Sequence, residues 1–261
     1  MHTPHPVAGA GRRGARAPLE IHFYCNSVPF SQDTIELKTS LGGSESALIF
    51  LARGLAARGH KIVIYTRMAA DRRGTPWAHQ WADEFGMRWC DHAVLEGMVK
   101  GRQPEVFVSL RMPQIMQQYL LGDCKLRVLW NEDLLIVPSQ YLANTWQTDL
   151  HAFVSEYHRE QYCRELPEIR PQSWVTKNPI DYRAIRDAVR GVDCDPNRLI
   201  HVSRPERALV HGDRSPLLEI FARLRAERPE LTLGVCRYHS MYEENPNVDA
   251  VCRRADQLVA E

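Results

Sequence analysis

Short apolar runs alternate with amphipathic stretches along most of this chain, and the spacing within each predicts its element. Leu19–Cys25 (Leu-Glu-Ile-His-Phe-Tyr-Cys) alternates at the period of a strand, and residues 26–41 follow as a polar loop containing Pro29. The period then changes. Leu48, Leu51, Ala52 and Leu55 fall at i, i+3, i+4 and i+7, the buried stripe of a helix. Ser44 is its expected N-cap, and Gly59 its expected left-handed C′ residue. Lys61–Thr66 is a β-branched strand, and the Trp-rich, charged segment Pro76–Phe85 is expected to be a helix covering the sheet. Val106–Leu110, Leu126–Trp130, Ala152–Ser155 and Trp174–Thr176 read as further buried strands. Ser155 caps a helix to about Glu165, and Asn178 and Asp181 shape a hinge and cap the next helix.

A second alternation begins with the strand Arg198–Val202, followed by the basic turn Ser203-Arg204-Pro205-Glu206-Arg207. Ser215 and Pro216 open a helix whose stripe is Leu217, Ile220, Phe221 and Leu224; the strand Leu231–Cys236 and a helix-like piece, Val248–Val259, complete the pattern. Strands alternating with helices imply parallel βαβ units, hence an α/β doubly wound sheet with ligands at the strand carboxyl ends. The expected organisation is a disordered leader (1–18), a complete Rossmann-like domain (19–185) and a partial second Rossmann-like domain (186–261). Two strands fall short of a sheet of usual size, so the expectation is a fragment or a truncated relative, open to self-association through the unfinished sheet edge.

Composition narrows the partners. A formal net charge of +1 over 261 residues gives no bulk electrostatic case for nucleic acid or an anionic membrane. Seven scattered cysteines without a Cys-x-x-Cys pair argue for reduced thiols in a cytoplasmic protein, against a disulfide framework or a zinc site. The leader carries Arg12, Arg13 and Arg16 but no apolar h-region, and no later run is long enough to span a bilayer.

The candidate chemistry starts at Gly42-Gly43. Without a Cβ, these residues let backbone N–H groups approach an anionic or hydroxyl-rich ligand at the positive end of a helix; the plainer reading is a tight turn. No Gly-x-Gly-x-x-Gly follows the first strand, which disfavours a nicotinamide enzyme. Trp77, Trp81 and Trp89 have the chemistry to stack on a sugar, but core packing is the commoner role of such residues. His151, His158 and His201 lack metal-ligand spacing. Asp193-Cys194-Asp195, just before Pro196, reads as a cap or a solvated linker.

The order of these pieces resembles the family 4 glycosyltransferases, which are retaining enzymes of the two-domain GT-B type. Gly42-Gly43-Ser44-Glu45 with Arg58-Gly59-His60, Ser155-Glu156-Tyr157-His158-Arg159, Asn178-Pro179-Ile180-Asp181 and Ser203-Arg204-Pro205-Glu206-Arg207 carry the resemblance, which runs from about Leu19 to Cys236. It implies that Gly42 and Gly43 lie at the cleft near donor phosphates and acceptor, and that Arg204 and Arg207 hold the donor diphosphate. Fixed cations at that position lower the barrier as the leaving group gains charge, without a metal or other cofactor.

The chain departs from the family at two places. Where the family has a His-Asp pair after the strand ending at Trp130, this chain has Asn131-Glu132-Asp133, so Glu132 stands at the histidine's position. Glu132 is therefore either the residue that contacts the transferred sugar or a loop carboxylate. The family's late Glu-x₇-Glu element does not occur in a suitable context after Arg207. The resemblance implies sugar transfer with retention from a nucleotide-sugar donor to a saccharide or lipid-linked acceptor; the alternative is a non-catalytic sugar- or nucleotide-binding remnant.

Overall fold

The computed structural model describes residues 17–30, 41–68, 81–101, 103–118, 121–134, 138–143, 145–202, 211, 215–235 and 253. The chain divides into two compact units, Met1–Ser31 with Ser44–Pro179, and Gln32–Gly43 with Ile180–Glu261.

The first unit is built on an eight-stranded sheet whose elements run in chain order β1 (Glu20–Pro29), α1 (Gly43–Ala56), β2 (Lys61–Arg67), β3 (Trp81–Ala82), β4 (Arg88–Asp91), α2 (Leu95–Gly101), β5 (Val106–Leu110), α3 (Pro113–Gln118), β6 (Leu126–Asn131), α4 (Pro138–Ala143), β7 (Leu150–Phe153), α5 (Glu156–Glu165) and β8 (Ser173–Val175). The spatial order is β3-β4-β2-β1-β5-β6-β7-β8. Every neighbouring pair is parallel except β3 with β4, an antiparallel edge. The chain winds outward one way from β1 to β4, then returns past β1 and winds the other way from β5. This is the Rossmann-like doubly wound order, and its switch point lies between β1 and β5.

Alternation along the strands explains the layers. Tyr24, Tyr65 and Phe107 face one side and pack with Leu95 and Val99 of α2 and Ile115 and Met116 of α3. On the same face further along, Leu129, Tyr141, Phe153 and Tyr162 gather α4 and α5. Ile21, Phe23, Val106, Val108, Val128 and Trp130 line the opposite face with Leu51 and Leu55 of α1, enclosing an apolar groove of about 170 Å³. At the central strand Ile21, His22, Phe23, Tyr24 and Cys25 are all buried, as expected of a parallel strand covered on both faces.

The expected strands of this unit are all present, with ends shifted by a few residues. The segment Pro76–Phe85 was expected to be helical; its described part contains β3, an edge strand, and Asp83 then turns the chain by accepting from the N–H groups of Phe85 and Met87. Ser44 does not cap α1: the helix begins one residue earlier, and the Ser44 hydroxyl is directed elsewhere. Ser155 caps α5, accepting from the His158 N–H at 3.1 Å. Gly59 ends α1 in the left-handed region at φ 88°; the His60 N–H bonds the Leu55 carbonyl and the Gly59 N–H the Ala56 carbonyl, a Schellman closure.

In the second unit, Asp181 caps α6 (Tyr182–Ala188), accepting from the Ala184 N–H. β9 (Arg198–His201) and β10 (Thr232–Val235) pair in parallel, and α7 (Pro216–Glu227) connects them with Ser215 as its N-cap. The stripe expected on α7 is not buried: Ile220 is 57% and Leu224 42% exposed. Asp195 makes a turn with the Asn197 N–H, a local role for the Asp193-Cys194-Asp195 run.

Gly59 and Gly43 give opposite expectations. An alanine at the left-handed Gly59 should cost about 1–2 kcal/mol. At Gly43 a Cβ meets no atom within 4 Å, so Gly43→Ala should change stability by less than about 0.5 kcal/mol. Urea unfolding of the two variants beside the parent measures both.

Candidate functional site

At the carboxyl end of β1 the pairing with β2 slips: Cys25 pairs with Thr66 and Pro29 with Arg67, so residues 26–28 bulge from the ladder. The bulge carries Ser27, whose hydroxyl donates to Oε1 of Glu45 in the first turn of α1. Glu45 is 3% exposed, a carboxylate drawn into the interior beside a helix N-terminus, where negative charge is favoured. Cys25, beneath it, is pushed up to about 11 by burial, so it is a neutral thiol here.

Across the switch point, β5 ends at Leu110, and Arg111 follows with φ 63°, the one non-glycine residue at positive φ among the described residues. That conformation turns its guanidinium toward three partners. Nε donates to Asp133 Oδ2 at 2.6 Å, and Nη1 lies 3.4 Å from the Ser44 hydroxyl and 3.6 Å from Glu45 Oε1. Arg111 thus joins the end of β5 to the end of β6 and to the start of α1.

Glu132 stands between Asn131 and Asp133 at the end of β6. Burial raises its carboxyl above the ordinary value; the Ser44 hydroxyl and the Arg111 charge pull it back, and Glu45 and Asp133 push it up. Its Oε1 is buried and has no hydrogen-bond partner among the described residues. Through Arg111 the structure ties the turn that carries Glu132 to Ser44, the residue that follows Gly42 and Gly43, although 88 positions separate Glu132 and Ser44 in the chain. Gly43 opens α1 with free space where its side chain would be. Arg204 and Arg207 lie outside the described residues, as does Trp77.

Buried side chains grip both neighbours of Glu132. On one side the Tyr141 hydroxyl lies 3.1 Å from Asn131 Oδ1 and 2.8 Å from His151 Nδ1. Asn131 Oδ1 only accepts, so the single Tyr141 proton goes there and His151 Nδ1–H donates to Tyr141. Asn131 Nδ2 in turn donates to the carbonyls of Leu129 and Ala152. On the other side His158 Nε2–H and the Tyr162 hydroxyl both donate to the Asp133 carbonyl at 2.8 Å. His158 Nδ1 then holds a lone pair, buried and without a partner. These histidines serve as buried hydrogen-bonding groups, and among the described residues no three His, Cys, Asp or Glu side chains gather to hold a metal ion.

Trp89 is fully buried, with Nε1–H donating to Asp83 at 2.7 Å, so it belongs to the core. Arg111 and Ser27 were not singled out from the sequence, and Glu45 entered only as the last residue of the Gly42-Gly43-Ser44-Glu45 motif. The available signal was positional: a charged residue directly after the central apolar strand Val106–Leu110, where doubly wound sheets place ligands. Among the described residues no helix is long and apolar enough to cross a membrane. No family model matches this chain, and no curated protein does either.

The buried grip makes stability depend on acid. Burial lowers His151 to about 4, so between its unfolded value near 6.5 and about 4 the unfolded chain takes up a proton that the folded chain refuses. This contribution is fully present above the unfolded value and falls by about 1.4 kcal/mol per pH unit through that window. His151→Asn keeps a donor for Tyr141 and removes the titration. Its stability, followed by urea unfolding from pH 7 to pH 4.5, should decline less steeply than the parent's by about 2 kcal/mol over the range.

A second expectation concerns Glu132. An amide removes the cost of burying a charge whose Oε1 has no partner, so Glu132→Gln should be as stable as the parent at pH 7 or up to about 1 kcal/mol more stable. Melting temperatures at pH 7 and pH 4 test this, and the difference should shrink at the lower pH.

Proposed function

We propose that this chain is a retaining glycosyltransferase of the GT-B type, with the polar end of the first unit's sheet serving the sugar and acceptor side of the reaction. The observation that carries the reading is the Arg111 guanidinium beside the switch point of a Rossmann-like sheet, which joins Ser44, next to the Gly42-Gly43 pair, to Asp133, next to Glu132. Both segments correspond to cleft segments of the family that the sequence resembles. The doubly wound sheet and the open space at Gly43 agree with a ligand approaching the start of α1.

In this reading Glu132 hydrogen-bonds a hydroxyl of the transferred sugar. An ionised carboxylate only accepts, whereas a protonated one also donates, and the raised carboxyl brings the second state closer to neutral pH. Arg204 and Arg207 neutralise the diphosphate as the glycosidic bond breaks, so turnover proceeds without a divalent metal.

The test starts with the diphosphate. Isothermal titration with UDP and GDP should show that Arg207→Ala weakens the nucleotide that binds by about 1.5–3 kcal/mol, the range for hydrogen bonds to charged groups. Unchanged affinity would remove Arg207 from the site. Transfer of radiolabelled sugar that vanished with EDTA and returned with Mn²⁺ would overturn the metal-free mechanism.

A further inference from the structure

Arg111 has a donor that the described residues leave unused. Its Nε is taken by Asp133, and its Nη1 lies against Ser44 and Glu45; Nη2 has no partner among the described residues. The side chain is 28% exposed, so this end of the fork is open to solvent. A guanidinium fastened through one edge and free at the other is a donor held in place before a ligand arrives.

We propose that Arg111 is a ligand-contacting, specificity-determining residue of this site, and that its free Nη2 donates to an uncharged oxygen, a sugar hydroxyl or ring oxygen, in preference to a phosphate. The proposal rests on the glycosyltransferase reading for the substrate class, and on the geometry for the residue and its preference.

Charge sets the preference. The positive charge of Arg111 is already shared with Asp133 at 2.6 Å and Glu45 at 3.6 Å, and the Glu132 carboxyl lies close enough to feel both Arg111 and Glu45. A phosphate arriving at Nη2 gains one partly neutralised cation and meets up to three carboxyl groups; a neutral hydroxyl makes the same hydrogen bond without that repulsion. A second observation marks the place as a ligand site. Glu132 Oε1 is buried and no donor among the described residues reaches it, so its hydrogen bond is left for a group from outside the protein or for its own proton. A hydroxyl-rich ligand supplies such donors, whereas a phosphate dianion supplies only acceptors.

The full chain serves for the test, with no nucleotide present, so that failure here is separate from failure of the nucleotide experiment. The Arg111 Nε–Hε signal, made identifiable by its loss in Arg111→Lys, is followed by NMR. Methyl glycosides of glucose, galactose, mannose and N-acetylglucosamine are added at millimolar concentration, and inorganic phosphate in a parallel series. At least one glycoside should shift the signal saturably while phosphate leaves it in place. That glycoside should bind Arg111→Lys about tenfold more weakly, because lysine keeps the charge and loses the fork. Arg111→Gly, which suits the left-handed backbone, is the second variant should the lysine form fail to fold, and it should lose binding while retaining a cooperative melt. Phosphate shifting the signal more strongly than every glycoside, no glycoside shifting it, or unchanged glycoside affinity in a folded variant would each overturn the proposal.

Discussion

One guanidinium ties the switch point of this sheet together. A doubly wound sheet necessarily opens a crevice where its strand order reverses, because β1 and β5 send their chains to opposite sides. In this protein Arg111 closes that crevice on one flank by holding Asp133 at the end of β6 and Ser44 and Glu45 at the start of α1. The hold depends on a left-handed backbone that arginine adopts only at a cost, and on a buried Glu45 that needs a neutralising neighbour. Removal of the guanidinium would leave Glu45 with the Ser27 hydroxyl as its remaining donor among the described residues and would free the turn that carries Glu132. The bulge at 26–28, the turn at 131–133 and the start of α1 therefore form one connected arrangement.

Glu132 gains its character from that arrangement and from the buried side chains beneath it. The chain Tyr141, His151 and Asn131 fixes the residue before it, and His158 with Tyr162 fixes the carbonyl of the residue after it. All of these side chains are nearly or wholly buried, so the turn has little freedom and the carboxyl stands in a set place. A carboxyl with one oxygen buried and unpaired among the described residues is poorly explained as a stabilising group. It is better explained as a group that meets something, which is why the functional reading rests on it.

Much of the architecture was legible because parallel strands buried on both faces write continuous apolar runs: Val106–Leu110 and Leu126–Trp130 are found within a residue of where those runs lie. Caps with a local mechanism were legible too, at Ser155, Asp181 and Ser215, each of which bonds an N–H three residues ahead. Ser44 misled because an N-cap pattern says nothing about a distant arginine that donates to the hydroxyl. The helix expected across Pro76–Phe85 gave way in its described part to a two-residue edge strand, too short to leave a periodicity. Glu132 was singled out because it stands where the resembled family has a histidine, after the strand ending at Trp130. Its environment, set by Glu45, Arg111 and Ser44, depends on contacts spanning most of the first unit.

The central claim, that Arg111 and its partners act as one unit, is tested most directly by a double-mutant cycle of Arg111→Met and Glu45→Gln, with stability measured by urea unfolding at pH 7. Arg111→Met alone strands a buried carboxylate, whereas the same change beside Glu45→Gln does not, so the two substitutions should couple by at least about 1 kcal/mol. Effects that add to within about 0.3 kcal/mol would contradict the account.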